Sequence, residues 1–379
     1  MKRRAIVFTG KERLETREEE LPVLGPGQIL VQTVDTLISS GTERIVFTRD
    51  FAPGTHWDNW VKYPFYPGYL MVGRVAAVGP GVTGVKEGSR IAARAGHASH
   101  HIFDVGNARG GNGSGVDAAS ASVKTAQLHV IPAEVADEEA VWMGLGKITQ
   151  VGVRAAEHKL GDAVAVIGLG PLGQLVVQYA RLFGAREVIA IDTVPLRVRM
   201  AQEHGATRCL CMAAGEALAA VREATDGRGA DVVYESTGHP AVFSAALPLA
   251  RRFGTVVLLG DTGNPGRQAL TGDLVTRGLR IVGAHDSHPL ASATDRDFWT
   301  SWAMEELFLA YLARQQIQTA DLITHRFRPQ AAADAYRLVV TNKQSAMGVL
   351  LQWGDAPAAE PAGGSQAAEI QDLVPASTS

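Results

Sequence analysis

Residues 163–185 read AVAVIGLGPLGQLVVQYARLFGA. The first five, Ala163–Ile167, form an unbroken apolar run of strand length. Leu172, Leu175, Val176 and Tyr179 then recur at helical spacing on one face. Between the run and the helix lies a turn with Gly168, Gly170 and Gly173 in the pattern GxGxxG. Gly168 suits a tight turn, Gly170 allows close approach of the backbone to a pyrophosphate, and Gly173 allows close helix–strand packing. Pro171 and Leu172 open the helix, where unpaired backbone N–H groups favour an anion.

The chain on the C-terminal side repeats the pattern. EVIAID (187–192), DVVYES (231–236), TVVLLGD (255–261) and LRIVGAH (279–285) follow at helix-sized intervals. Buried strands alternating with amphipathic helices predict an α/β fold with a doubly wound parallel sheet. Asp192 falls at the end of the second strand. A carboxylate there accepts hydrogen bonds from ribose hydroxyls and repels a 2′-phosphate, which favours NAD. Arg197 and Arg199 each offer a partner for such a phosphate, so NADP stays possible.

The N-terminal side has a different texture. RAIVF, QILVQTV, VGRVAAVG and SRIAARA are short strand-like runs between Gly and Pro turns. From Asp137 to Leu160 the pattern is helical, with Asp137 as expected N-cap and Gly161 as expected stop. Beyond Ser287, residues 295–316 and 326–342 read as helices, and MGVLLQW (347–353) as a closing strand that returns to the first part. Residues 107–117, NARGGNGSGVD, read as a flexible loop, either a lid or an insertion. The tail 354–379 has little to bury and is expected to be disordered.

Composition excludes several classes. The chain has 379 residues, 46% hydrophobic and 20% charged, with a net charge of −3. That suits two folded domains and a small-molecule substrate, not nucleic acid or an acidic membrane surface. No apolar run reaches the roughly eighteen residues of a membrane span, and the start of the chain lacks a signal-peptide core, so a cytoplasmic location is expected. Cys209 and Cys211 are the only cysteines. They supply no disulfide framework and no four-thiolate zinc site, and are read as packing residues.

PGYLMVGRVAAVG (67–79), GLGPLG (168–173) and DAYRLVVTNKQSAMGVLLQW (334–353) together resemble the medium-chain dehydrogenase/reductase superfamily, over about residues 1–353. The resemblance implies a GroES-like, β-rich catalytic domain with an inserted Rossmann domain and a cleft between them. The division would be 1–154 catalytic, 155–288 NAD-binding, 289–353 catalytic return and 354–379 tail. It also exposes departures from the zinc alcohol dehydrogenases. Ser40 stands where they have a Cys ligand, Tyr69 where they have a His, and Leu145 falls at the third position. Such a set is no zinc site. The motif Ser39-x-Gly41-Thr42-Glu43 resembles a zinc-free branch that includes bacteriochlorophyllide hydroxyethyl dehydrogenases and domains fused to sugar or inositol oxidoreductases.

Without a metal, side chains must manage the proton of the reacting hydroxyl. Thr42 matches the family's proton-relaying hydroxyl. Ser40 and Tyr69 are placed to point at the same oxygen. Tyr69 needs a cation to lower an ordinary phenol pKa of about 10, and Lys147 is the candidate. Each has a plainer reading: turn hydroxyls, a packed tyrosine, a surface lysine. Thr149 matches a position beside the nicotinamide, or else bonds back to its own helix turn. Glu43, Trp57, Trp60 and His285 are the candidate substrate-facing residues, although Glu43 suits holding an arginine or backbone group better than proton chemistry, and the aromatic segment 51–66 equally suits a packed lobe. His97, His100 and His101 look metal-like, but strand alternation sends the last two to opposite faces.

The resulting expectation is a zinc-independent NAD-dependent dehydrogenase of a secondary alcohol or its ketone, with a polyol, sugar or cyclitol preferred. The alternatives are an enone or quinone reductase and a non-catalytic dinucleotide-binding scaffold. The resemblance also implies a homo-oligomer, paired through the edge strand LRIVGAH.

Overall fold

Ala163–Ile167 lies at the centre of the molecule, each of its residues 3% exposed or less. In the computed structural model, which describes residues 1–105, 122–123, 128–290, 292–342 and 344–354, this strand is third in a six-stranded parallel sheet. The order is Arg208–Cys211, Glu187–Asp192, Ala163–Ile167, Ala230–Glu235, Ala250–Leu258, Arg280–Gly283. Chain order reverses between Ala163–Ile167 and Ala230–Glu235. That switch point opens a crevice at the carboxyl ends of the strands.

Alternation along the strand sorts its side chains between two cores. Val164 and Val166 pack in one cluster with Leu175, Val176 and Tyr179 of the helix Pro171–Leu182 and with Met143, Leu145 and Val153 of the helix Met143–Ala155. Ala165 and Ile167 pack on the other face with Val221, Phe243 and Leu247. Apolar layers on both faces explain why the strand reads as a continuous hydrophobic run.

The second sheet is mostly antiparallel. Gln28–Ile38 is its long central strand, pairing with Met71–Val78, with His100–Asp104 and with Gly348–Gln352. The last pairing, Leu350 opposite Leu37, stitches the C-terminal strand onto the N-terminal part. Beside it Phe8, Phe47 and Tyr336 pack ring on ring, with centroids 4.9–5.2 Å apart. The helix Ala332–Thr341 thereby closes the same core.

The helical region after residue 136 departs from expectation. It is two helices, Asp137–Ala140 and Met143–Ala155. Ala136, not Asp137, is the N-cap, and Glu139 Oε2 accepts its N–H at 2.9 Å. The Asp137 carboxylate is engaged by Arg90 at 2.8 Å and Arg74 at 3.3 Å. The helix ends six residues before Gly161, which instead turns the chain into the central strand with φ +84°. The helix expected over 295–316 runs over Ser301–Ala313, capped by Thr300 through its Oγ1. The loop 107–117 and the tail beyond Gly354 lie outside the described residues. No described helix is long and apolar enough to cross a membrane.

The glycine-rich turn carries the sharpest steric constraint near the crevice. A Cβ on Gly173 would lie 1.9 Å from the Gly168 carbonyl oxygen, whereas one on Gly170 would meet nothing within 4 Å. Gly173→Ala is therefore expected to destabilise the fold by about 1–3 kcal/mol, the usual cost of overpacking, in denaturant unfolding. Gly170→Ala should leave the unfolding midpoint within about 0.5 kcal/mol of the parent.

Candidate active site

The crevice is built from the carboxyl ends of the parallel strands. Gly168 has φ +85°, and the helix that follows takes Gly170 as N-cap with Pro171 in its first turn. Ser236 Oγ donates to the Gly168 carbonyl at 2.5 Å and to that of Ile167 at 2.9 Å, tying the turn to the neighbouring strand. Asp192 closes the turn from the other side. Its Oδ2 accepts the Leu169 N–H at 2.7 Å and its Oδ1 the Val194 N–H at 2.9 Å. Arg197 Nη1 lies 3.8 Å from Asp192 Oδ2, while Arg199 points to solvent. Leu172 packs against the core. The open face over Gly170 suits a pyrophosphate, and Asp192 and Arg197 stand together where a ribose would follow.

Glu235 was not singled out by sequence reasoning. It ends the strand Ala230–Glu235, fully buried, and burial pushes its carboxyl up to about 7 although Thr237 donates to it. Its Oε1 accepts the Thr237 N–H at 2.7 Å. Its Oε2 has no partner.

The opposite wall is a cluster of hydroxyls and charges. The Tyr69 hydroxyl donates to Ser39 Oγ at 2.6 Å, and the Thr42 hydroxyl acts on its pKa in the same direction. Burial raises the Tyr69 pKa, and the Ser39 and Thr42 hydrogen bonds and the Arg94 charge only partly oppose it. The Arg94 guanidinium sits over the Tyr69 ring, 4.9 Å from its centroid. Arg94 is held in turn by Asp286 at 2.6 Å.

Asp286 also takes Lys147, whose Nζ donates to Oδ1 and to the backbone carbonyl, both at 2.6 Å. Burial pulls the Lys147 pKa down against the attraction of Asp286. Burial works the other way on Asp286, but Arg94 and Lys147 together hold its carboxyl below the usual range.

Several sequence-based expectations shift here. The cation beside Tyr69 is Arg94; Lys147 is engaged by Asp286 instead. Arg94 follows the strand Arg90–Ala93, and no local pattern marked it. Asp286 follows His285, which was the residue of this segment expected to face substrate. Ser40 opens the helix Ser40–Thr48, while its neighbour Ser39 makes the contact with Tyr69.

Glu43, expected to face substrate, is 2% exposed. Its oxygens accept the Ser39 N–H at 2.8 Å, His97 Nε2 at 2.9 Å and the Tyr336 hydroxyl. It is a buried anchor that holds the start of the helix carrying Thr42, which corrects its assignment. Trp57 is also corrected: at 4% exposure it packs in the aromatic core. Trp60 is 52% exposed, edge-on to Phe65.

Thr149 is fully buried and donates to the Leu145 carbonyl at 2.9 Å, so its hydroxyl serves its own helix turn. The histidines of 97–101 go to separate partners: His97 to Glu43, His100 to Ser99 and His101 to the Gly96 carbonyl. His285 is exposed and bonded to Ser287, one residue from Asp286.

At the positions that the resemblance assigns to the zinc ligands stand Ser40, Tyr69 and Leu145, the last 3% exposed in the core. Among the described residues, one set of three His, Cys, Asp or Glu side chains brings its ligand atoms within 4.8 Å of one another, and it is His56, Asp261 and His285.

Comparison with known proteins agrees with this architecture. Residues 25–133 match the alcohol dehydrogenase GroES-like domain, and residues 171–293 the zinc-binding dehydrogenase family. L-threonine 3-dehydrogenase of Symbiobacterium thermophilum is 28% identical over 351 residues, 88% of this chain and 93% of that protein. Sorbitol dehydrogenase of Bacillus subtilis is 33% identical over 214 residues, 53% of this chain and 60% of that protein. A protein of Escherichia coli CFT073 described as a short chain alcohol dehydrogenase, solved with NADH, superposes with a TM-score of 0.71 at 20% identity, covering 93% of this chain and 99% of its own. That last likeness concerns the fold. A GroES-like domain joined to a Rossmann-type sheet, with both family matches falling on those parts, places the chain in the alcohol dehydrogenase-like, medium-chain dehydrogenase/reductase superfamily.

Proposed function

We propose that the chain is an NAD-dependent dehydrogenase of a secondary alcohol or its ketone, and that hydroxyl groups replace zinc at the reacting oxygen. The carrying observation is Tyr69, hydrogen-bonded to Ser39 beneath the Arg94 guanidinium. Two hydroxyls and a leucine do not fit zinc, which takes thiolate, imidazole or carboxylate donors. The crevice does fit a nicotinamide dinucleotide. The turn at Gly168, Gly170 and Gly173 would take its pyrophosphate, and Asp192 and Arg197 its adenosine ribose. When bound, the dinucleotide donates or accepts the hydride.

The chain's own residues then manage the proton. Burial keeps Tyr69 protonated at neutral pH, so in the reductive direction it is a donor to the carbonyl oxygen. Thr42 and Ser39 orient the phenol. Arg94 offsets the charge left on it, an electrostatic contribution fixed in place before reaction by Asp286. Lys147 is a positioning residue in this scheme, because it holds Asp286 rather than Tyr69.

A polyol, sugar or cyclitol is the proposed substrate class. The sorbitol dehydrogenase likeness supports it, as does the exposed face of Trp60, which can stack on a ring. Arg280–Gly283 lies at the edge of the parallel sheet, which supports the reading of a homo-oligomer paired there. A phenol held protonated also suits polarising the carbonyl of an enone, and this makes enone reduction the second reading.

Assay of NAD⁺ reduction on secondary alcohols, polyols and cyclitols, beside NADH oxidation with enones, separates the two. Alcohol turnover without enone reduction is expected, and the reverse result would favour the second reading. Tyr69→Phe should lower kcat by about 10²–10⁴, the usual weight of a general acid–base group, with NADH affinity retained.

The raised Tyr69 pKa sets the pH dependence. For ketone reduction the protonated donor is the active form, so kcat/KM should stay flat through neutrality and fall only above about 10, the ordinary phenol value. For alcohol oxidation the phenolate is the base, so kcat/KM should still be climbing at that pH. A plateau near neutrality in Tyr69-dependent oxidation would contradict the assignment.

Asp286→Asn should lower the melting temperature at neutral pH, because two cations lose their shared counter-charge. A carboxyl held below its usual range stabilises the fold above its unfolded pKa of about 4 and loses that effect as pH falls through the lower folded value. The difference between parent and variant, followed by thermal melts at successive pH values, should therefore shrink toward acid.

A further inference from the structure

We propose that His56, Asp261 and His285 form a binding site for a divalent transition metal of the zinc class, distinct from the position of the catalytic zinc in related dehydrogenases, and that it staples the two sheets' domains together at the mouth of the crevice. His56 opens the short helix His56–Trp60 in the N-terminal part. Asp261 follows the strand Ala250–Leu258, and His285 follows Arg280–Gly283. Three segments far apart in sequence thus converge, and all the ligand atoms lie within 4.8 Å of one another. His56 Nε2 is 2.8 Å from Asp261 Oδ2, a bridge from one part of the chain to the other. The His56 and His285 rings stand edge to face with centroids 6.1 Å apart.

The donor set is two imidazoles and a carboxylate, which suits zinc at about 2.0–2.2 Å per ligand and leaves a fourth tetrahedral position for water. All three residues are exposed, so the ion has a path in. The ligands also have supports. Ser287 Oγ lies 2.8 Å from His285 Nδ1, while His288 Nδ1 accepts the backbone N–H of His285 at 3.4 Å. Hydrogen bonds of this kind orient a ligating imidazole.

The backbone around the site is already pinned. Ala52 N–H donates to the Gly263 carbonyl at 2.8 Å, and Asn264 Nδ2 to Asp50 Oδ1 at 3.3 Å. A Cβ on Gly263 would lie 2.0 Å from the Asp50 carbonyl oxygen, so only glycine permits this approach. The segment bearing His56 and the loop bearing Asp261 are therefore held against each other before any ion arrives. His285 is next in chain to Asp286, so an ion here would also fix the residue that holds Arg94 and Lys147.

The test is Zn²⁺ titration of the full chain, stripped with chelator and dialysed, in competition with a chromophoric chelator, with thermal melts on the same samples. The parent should bind one Zn²⁺ per chain at this site and melt at a higher temperature with it. His56→Gln, Asp261→Asn and His285→Gln, all surface changes, should each weaken that binding by at least about tenfold and abolish the rise in melting temperature. Cys209→Ser with Cys211→Ser should change neither. Equal Zn²⁺ binding in the parent and the three variants, loss in the cysteine variant, or no Zn²⁺ bound by the parent would overturn the proposal. None of these readouts depends on turnover, so they stand apart from the substrate assignment.

Discussion

Asp286 is one of the residues through which the two halves of the molecule meet, and the one on which the reacting wall depends. It follows the last parallel strand, yet its carboxylate holds Arg94 from the antiparallel sheet at 2.6 Å and Lys147 from the helix Met143–Ala155 at 2.6 Å. One anion between two cations is an arrangement that resists loss of any member, since a half-buried charge left alone is costly. The position of Arg94 over Tyr69 depends on it.

The reacting end of the crevice is governed by desolvation. Burial keeps the Tyr69 phenol neutral, keeps Lys147 closer to losing its proton, and lifts the Glu235 carboxyl to about 7. Three groups of different kinds are thus displaced in the direction that favours the uncharged form. A neutral phenol with its oxygen already oriented by two hydroxyls is a proton donor. A metal performs the same task by charge; in the proposed scheme this wall would do it by hydrogen bonding and a guanidinium placed against the ring.

Where local pattern dictates structure, the sequence was enough. The apolar run at 163–167, the glycine spacing at 168–173 and the later strand runs led to the parallel sheet, because a buried parallel strand must be apolar on both faces. The return of 347–353 to the N-terminal sheet was legible as a strand following a helix. The site was less so. Thr42 and Tyr69 were proposed through their match to a family motif, and Tyr69 takes a hydroxyl partner, Ser39. Arg94, Asp286 and Ser39 were missed because their roles arise from contacts between segments distant in sequence. Glu43 and Trp57 were misplaced for a related reason. Chemical type says what a carboxylate or an indole can do, but burial decides which use is made of it. His56 and His285, 229 positions apart (285 − 56) in the chain, could be brought together only by the fold.

The central claim is that hydroxyls, not a metal, handle the reacting oxygen. The most direct measurement is turnover per chain on a secondary alcohol substrate with protein stripped of metal and assayed under excess chelator, its metal content verified beforehand. The account predicts full turnover in the metal-free protein. Turnover that disappears on stripping and returns with stoichiometric zinc in the His56→Gln variant, where the surface site is removed, would contradict it.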